Sequence, residues 1–259
     1  MQLLRFHRVV AIPAALVAIA TVTACGTDSS TAPQLTAAAN AAINADVATV
    51  TSETVGQDVE LMRGPGGLYA LGLGADRGSF ECTQAGRDGL TVVRICSYKD
   101  AAGNVQSAYD SLTTASVSVR ANVSGTLDRG NVSMTVDRTA EFTVSGLAGK
   151  ETQATWNGAG QGTISRVRTK ENGETRQYDM TFTVTRTNVV IPVPRTPTSW
   201  PISGTVHKLY TITITGGPND GKKVTRDVVI TFNGTNLPTA TINGEPWELD
   251  LSTRGRRRK

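Results

Sequence analysis

The sequence predicts a mainly β protein: a large curved antiparallel sheet, strongly bent or partly closed toward a barrel, with one N-terminal helix. Three observations predict it. Apolar and polar residues alternate from Phe80 almost to the end of the chain. Turn signals that contain glycine, such as Asn172-Gly173 and Asn243-Gly244, separate the alternating runs. One alanine-rich segment before them, residues 35–63, has apolar residues at helical spacing.

The alternating runs form the β domain, which we place at residues 80–252. In each run one face is apolar and the other is polar, a pattern typical of an antiparallel sheet covered on one side. We expect about ten to twelve strands joined mostly as a meander. Several runs exceed ten residues, which favours a wide or strongly curved sheet. Clear examples of the alternation are residues 117–123, 136–144, 178–184, 206–214 and 224–232.

The predicted helix spans residues 35–63. Its apolar residues fall at steps of three or four: Leu35, Ala39, Ile43, Val47 and Val50. The spacing slips near Thr51-Ser52, which predicts a bend or break there. We expect the apolar stripe to pack on the apolar face of the sheet. The next segment, residues 64–79, is rich in glycine and has no periodicity, so we interpret it as a flexible linker.

A proline-containing stretch interrupts the alternation at residues 189–197. Proline cannot donate a hydrogen bond to a neighbouring strand. The stretch therefore predicts a sheet edge or a crossover, and we expect its apolar residues to protect that edge. Its three prolines are Pro192, Pro194 and Pro197.

Charge is unevenly distributed along the chain. The formal net charge of the 259 residues is +4. Arg5 and Arg8 supply two of the positive charges, and the last six residues supply five, so residues 26–253 carry −3. A nucleic-acid partner needs a basic face on the folded domain, and we therefore expect none. We interpret residues 253–259 as a disordered basic tail that can meet an anionic surface through Arg254, Arg256, Arg257, Arg258 and Lys259.

The residues needed for common catalytic and metal sites are scarce. After Cys25 the chain has a single histidine, His207, and no nucleophile-elbow motif. A histidine-rich zinc site is therefore unavailable. Carboxylates are present, but their spacing singles out no catalytic pair. We expect no enzyme activity, no cofactor and no metal.

The first 25 residues have the organisation of an export signal. Arg5 and Arg8 precede an apolar run, residues 9–20, that is too short to span a bilayer. The run leads to Val22-Thr23-Ala24-Cys25, which resembles the lipobox of a bacterial lipoprotein precursor. The resemblance implies that residues 1–24 are a signal peptide and that Cys25 is acylated. Gly26 after the cysteine favours the outer membrane, and residues 25–34 have the composition of a tether.

Two cysteines remain after Cys25 is assigned to the lipid. Cys82 and Cys96 lie on either side of the turn signal Asp88-Gly89, so a hairpin would bring them together. An exported chain enters an oxidising compartment, which favours a disulfide between them. A metal site is the alternative, but two thiols need further ligands.

A weak repeat places a basic residue on the apolar face of three strands. Arg138, Lys208 and Arg226 each stand two residues after a valine and seven residues before a Ser, Thr or Asn that precedes glycine. One interpretation is a row that contacts an anion. The other is that the side chains extend past the rim of the apolar face into solvent. We also expect the strands around residues 218–221 to place Lys208 opposite Ile230 and Arg226 opposite Ile212.

These observations predict a lipid-anchored protein of the bacterial envelope that acts as a non-catalytic structural or interaction module. The alternative is a carrier that holds a lipid or another apolar ligand on the concave face of the sheet. The space between helix and sheet distinguishes the two. A filled interface favours the structural module, and an open apolar trough favours the carrier.

Overall fold

The computed structural model describes ten ranges of the chain: residues 35–63, 85–87, 89–110, 112–147, 149, 151–169, 173, 175–193, 198–253 and 255–258. Within them, the side chains of residues 60–63, 85–87, 129 and 255–258 are not described. The predicted signal peptide 1–24, the tether 25–34 up to Gln34 and the linker 64–79 lie outside these ranges. The helix and sheet described below belong to one compact unit, Leu35–Lys259.

The predicted helix is present as α1, Ala37–Arg63, with 27 residues. Thr36 caps its first turn, because its Oγ1 accepts a hydrogen bond of 3.1 Å from the amide of Ala39. The predicted break at Thr51-Ser52 is wrong, since the helix continues through both residues. The apolar spacing slips there because the helix is buried on all sides. Val50, Thr51 and Ser52, three consecutive residues, have no exposed surface.

The rest of the described chain is one mainly antiparallel sheet of twelve strands. Their order in the sheet is β1-β2-β4-β5-β6-β7-β8-β9-β10-β11-β12, and β3 pairs with β2 beside this path. The strands are β1 Ala85–Arg87, β2 Leu90–Asp100, β3 Val105–Gln106, β4 Thr114–Arg129, β5 Val132–Ser145, β6 Gln153–Thr169, β7 Thr175–Pro192, β8 Ser203–Thr215, β9 Lys223–Thr231, β10 Thr239–Ile242, β11 Glu245–Asp250 and β12 Gly255–Arg258.

This topology confirms the predicted mainly β fold and the meander. From β4 to β12 each strand pairs with the next one in sequence, and β2 pairs with β4 across the two-residue β3. In the described part of the chain β1 and β12 do not pair, so the sheet is not closed into a barrel. It curves around α1 instead. The apolar residues of the inner face and the buried apolar residues of the helix form one core.

Three glycines on the inner face of β6 permit a close approach of β5 and β6. Gly158, Gly160 and Gly162 lie at alternate positions of one strand, opposite Phe142, Ala140 and Arg138 of β5. A Cβ atom on Gly158 would lie 2.1 Å from the backbone oxygen of Glu141. Such an approach is far inside van der Waals contact. The two strand backbones can therefore come this close only because β6 has no side chains there.

The proline stretch does not form a sheet edge. The strand β7 extends to Pro192 and is paired on both sides, with β6 along 153–169 and with β8 as far as Val190. Val189 and Ile191 have no exposed surface. Pro192 is tolerated because it is the last residue of its strand. Residues 194–197 lie outside the described ranges.

The basic tail is not disordered over residues 255–258. These residues form β12, which pairs with β11 in the register Asp250↔Gly255 to Trp247↔Arg258. The tail can join the sheet because β11 has an open side, and pairing satisfies backbone groups that an edge leaves unpaired. Among the strands, β11 and β12 are also those whose backbones come closest to α1.

Candidate functional site

Six cations lie on the inner face of the sheet, one on each of six strands. Each occupies an inward position in the alternation, as Arg138 does between the buried Val136 and Ala140. All are at most 7% exposed, although lysine and arginine are rarely buried unless they are paired. The six are Arg94 on β2, Arg138 on β5, Arg166 on β6, Arg186 on β7, Lys208 on β8 and Arg226 on β9.

Asp58 near the end of α1 binds two of these cations. Its Oδ1 accepts a hydrogen bond of 2.6 Å from Nη1 of Arg138, and its Oδ2 accepts one from Nη2 of Arg186. The two arginines come from β5 and β7, and β6 lies between them. In β6 they face Gly162 and Gly158. Because these glycines have no side chains, both guanidinium groups can reach the same carboxylate.

The charge on Asp58 is fixed by this arrangement. Burial alone would raise the pKa of its carboxyl, but Arg138, Arg186 and Lys208 together hold that pKa well below its usual range. Asp58 is therefore ionised at every physiological pH. A carboxylate that is 3% exposed and bound to two arginines is not available to a substrate.

Lys208 lies next to this pair and contacts the helix through a hydroxyl. Its Nζ donates a hydrogen bond to Oγ1 of Thr54 and lies 5.1 Å from the ring centre of Phe182. Burial lowers the pKa of Lys208 to about 7; Asp58 opposes this shift, while Arg138 and Arg186 add to it. Lys208 is thus the buried group in this layer that changes its charge near neutral pH.

A tyrosine extends the polar contact between helix and sheet. Tyr210 of β8 shares a hydrogen bond of 3.1 Å with Thr51 of α1. Burial raises the pKa of Tyr210 to about 12, so the phenol stays protonated. Ser52 donates a hydrogen bond of 3.0 Å to the backbone oxygen of Asp250. These hydroxyls have partners, which removes their tendency to compete with the helix backbone.

The first half of α1 has two further contacts of this kind. Arg166 donates from Nη1 to Oδ1 of Asp46 at 2.5 Å. Arg226 donates to Asn44 and, from Nη2 at 2.8 Å, to Asn40. We call the whole set the ionic layer: the six cations of the sheet, Tyr210, and the side chains of α1 that bond to members of this set, which are Asn40, Asn44, Asp46, Thr51, Thr54, Gln57 and Asp58.

The ionic layer fixes how the helix sits in the sheet. Its contacts spread from Asn40 to Asp58, and they reach at least five strands. A rotation or sliding of α1 by one residue would leave several buried charges without partners, at a cost of several kcal/mol each. The layer therefore specifies one position of the helix. Most of the described side chains of the layer have almost no exposed surface, so they leave no open apolar trough within it.

The sequence located three of the six cations but not their surroundings. Arg138, Lys208 and Arg226 do lie on the apolar face, but they do not extend to its rim, since they are 3%, 0% and 5% exposed. The anion that Arg138 contacts is Asp58 of the same chain. The register in the β8–β9 hairpin also differs from the expectation. Lys208 pairs with Val228, and Arg226 pairs with Tyr210.

Sequence reasoning missed the other cations and both carboxylates. Arg166 and Arg186 also stand at inward positions of alternating strands, which was a usable signal. On the helix, Asp46, Thr54 and Asp58 lie at multiples of four residues and share a face. Matching polar positions of the helix to cations of the sheet would have identified the contact.

Only one of the two cysteines of the predicted disulfide lies within the described residues. Cys96 is half-buried in β2 and is disulfide-bonded. Cys82 lies outside the described residues, so the pairing of Cys82 with Cys96 stays a prediction. Cys25, the predicted lipid attachment site, also lies outside them, as do Arg254 and Lys259 of the tail.

The outer face of the sheet has an open groove of about 430 Å³ across β2, β4, β5 and β6. Its walls combine the exposed Ile95 with an ion pair between Arg120 and Glu141, whose nearest charged atoms are 3.6 Å apart. Both members of that pair are more than half exposed. Elsewhere on the outer face, Nε2 of His207 lies 2.9 Å from Oδ1 of Asp227.

The described residues provide no cluster of three or more His, Cys, Asp or Glu side chains that could hold a metal ion. Among the same residues, no helix has both the length and the apolar character needed to cross a membrane. Comparison with protein-family models, with curated proteins and with solved structures gives no match to this chain.

Proposed function

We propose that the chain is a lipid-anchored protein of the bacterial cell envelope, and that its β domain is a non-catalytic structural or interaction module. The observation that supports this role is the filled concave face. Val47, Thr51 and Thr54 of α1 have no exposed surface, and the ionic layer holds the helix in place. A site for an apolar ligand on this face would require α1 to leave.

In this proposal, contacts with other molecules use the outer face of the sheet. That face carries the open groove and several exposed apolar side chains, among them Val93 and Ile95 on β2. Exposed apolar side chains next to charged ones are common at interaction surfaces. The groove is open and shallow, and an extended or loop-like segment of a partner would suit it better than a small molecule.

Native mass spectrometry distinguishes the module from the carrier. The protein would be expressed with its export signal and with Cys25→Ser, so that any lipid detected is bound non-covalently. We expect the mass of the polypeptide alone. A lipid bound in stoichiometric amount would overturn the module and establish the carrier instead.

The lipid anchor is proposed from one feature of the sequence, the lipobox-like motif of residues 22–25. We propose an outer-membrane location because Gly26 follows the cysteine. Labelled fatty acid should enter the wild-type protein and not the Cys25→Ser variant. If label enters both, acylation is at another residue, and if it enters neither, the chain is not acylated; in both cases the assignment of Cys25 fails. Membrane fractionation of the wild-type protein tests the outer-membrane location separately.

A further inference from the structure

The buried charges around Asp58 do not balance. Three cations meet there, Arg138, Arg186 and Lys208, and each is at most 3% exposed. The only carboxylate they share is Asp58. Because the described contacts of these three side chains include no second anion, the group carries an excess of one positive charge when Lys208 is neutral and of two when Lys208 is protonated. An unbalanced buried charge is costly.

The same place has buried N–H groups without acceptors. Nε and Nη1 of Arg186, Nε of Arg138 and Nε2 of Gln57 are inaccessible to solvent and have no hydrogen-bond partner. Arg186 has no exposed side-chain surface. Its guanidinium lies on the ring of Phe142, with Cζ 4.6 Å from the ring centre. Stacking uses the face of the guanidinium and leaves its in-plane N–H groups available for a ligand.

One negatively charged acceptor would compensate the charge and accept hydrogen bonds from the N–H groups that point toward it. It would reach either Nε or Nη1 of Arg186, because these two groups point to different sides of the guanidinium. Water could accept hydrogen bonds from these groups, but it would not compensate the charge. A tetrahedral oxyanion brings four oxygens, and several of them would lack donors here because the open N–H groups come from only three side chains. A spherical monovalent anion needs only N–H groups and a positive field.

We propose that Arg138 and Arg186, with Gln57 beside them and Lys208 adding charge, form a buried binding site for a small monovalent anion of the halide class between α1 and the sheet. The anion would complete the ionic layer beside Asp58. It would be a structural ligand that binds the folded protein only, and it would therefore stabilise that state by mass action.

The groups that face the site set its pH dependence. The helix contributes Asp58, β5 contributes Arg138, β7 contributes Arg186, and β8 contributes Lys208 and Tyr210. Only Lys208 changes charge near neutral pH, with a pKa of about 7 in the folded protein. Anion affinity should be highest below pH 7 and should fall as Lys208 loses its proton.

Thermal unfolding in chloride and in gluconate tests the site. The purified chain with Cys25→Ser would be unfolded at constant ionic strength while chloride replaces gluconate. At pH 6, Tm should rise by about 3 °C for each tenfold increase in chloride above its Kd. At pH 9 the rise should be smaller. An equal Tm in the two salts at both pH values would overturn the proposal.

Two variants localise the effect. Lys208→Met removes one cation and keeps both hydrogen bonds to Asp58, so it should weaken the chloride dependence at pH 6. Arg120→Met removes a cation from the outer face and should leave the chloride dependence of Tm unchanged. Loss of the dependence in Arg120→Met, or its full retention in Lys208→Met, would place the anion elsewhere. Broadening of the ³⁵Cl resonance by the wild-type protein gives a second readout that needs no unfolding.

Discussion

Asp46 and Arg166 form an ion pair that joins the first half of α1 to the middle of the sheet. Nη1 of Arg166 lies 2.5 Å from Oδ1 of Asp46, and the two side chains are only 6% and 9% exposed. The residues are 120 positions apart in sequence. Pairs of this kind place the helix, but burial of two charges offsets much of their attraction.

A double-mutant cycle on this pair should show strong coupling. Asp46→Leu or Arg166→Met alone leaves one buried charge unpaired, and each should destabilise the fold by about 3–5 kcal/mol. The double variant should cost less than either single change, because it buries no charge. Urea unfolding measures all four proteins.

The exposed pair Arg120 and Glu141 is the matched control for that cycle. The same substitutions there should give a coupling below about 1 kcal/mol. Additive effects at Asp46 and Arg166, with no coupling beyond the control, would contradict the role that we assign to the ionic layer.

Lys208→Met should change the pH dependence of stability. The folded protein holds the pKa of Lys208 near 7, whereas an unfolded lysine titrates near 10.4. Between these values the unfolded state binds the additional proton, so the free energy of unfolding of the wild type should rise with pH through this window. The slope should approach about 1 kcal/mol per pH unit and should disappear in Lys208→Met.

The exposed Lys223 on β9 provides the control for this measurement. Lys223→Met should retain the wild-type slope between pH 7 and 9. Lys208→Met should also be more stable than the wild type at pH 6, where the buried lysine carries its full charge. A wild-type slope that persists in Lys208→Met would mean that another group titrates.

Gly158→Ala should disrupt the close approach of β5 and β6. The new Cβ would lie 2.1 Å from the backbone oxygen of Glu141, and a backbone atom cannot rotate away as a side chain can. We expect a loss of about 3 kcal/mol or failure to fold. Gly103→Ala is the control, since no atom lies within 4 Å of its Cβ position. Its cost should stay near that of a positive φ, about 1 kcal/mol. Equal costs at the two glycines would argue against a close approach of β5 and β6.

The C-terminal residues should be protected from hydrogen exchange. Residues 255–258 pair with β11, so their amides should exchange more slowly than those of an unstructured peptide. Deletion of residues 254–259 should accelerate exchange in β11. Free exchange in residues 255–258 would restore the interpretation as a disordered tail.

The positive charges of this strand can be tested apart from its backbone. Replacement of Arg256, Arg257 and Arg258 by glutamine keeps the pairing groups and removes three charges. We expect weaker binding of the Cys25→Ser protein to vesicles that contain anionic lipid, at low salt, with β11 still protected. Equal vesicle binding with and without these charges would exclude the tail as the contact with an anionic surface.

The sequence predicted the sheet well because its signal is local. Alternation with period two and glycine turns identified the strands and their meander order. The interior was less predictable because its partners are distant. Nothing near Asp58 in sequence indicates Arg138 or Arg186. Thr51 and Ser52 resembled a helix break only because their partners lie on β8 and at the end of β11. The edge assigned to Pro192 failed because a terminal proline removes just one hydrogen bond from a paired strand.

The hydrogen bond from Asn44 to Glu245 spans 201 residues of sequence. The helix is synthesised first, yet several of the groups that satisfy its buried side chains are among the last to be made. Folding must therefore close very long loops before the centre of the molecule can form, which is the property that makes high-contact-order proteins fold slowly. The chain should stay without a stable core until β9 to β11 are present, and truncation at its C-terminal end should affect its slowest folding step more than its local helix formation.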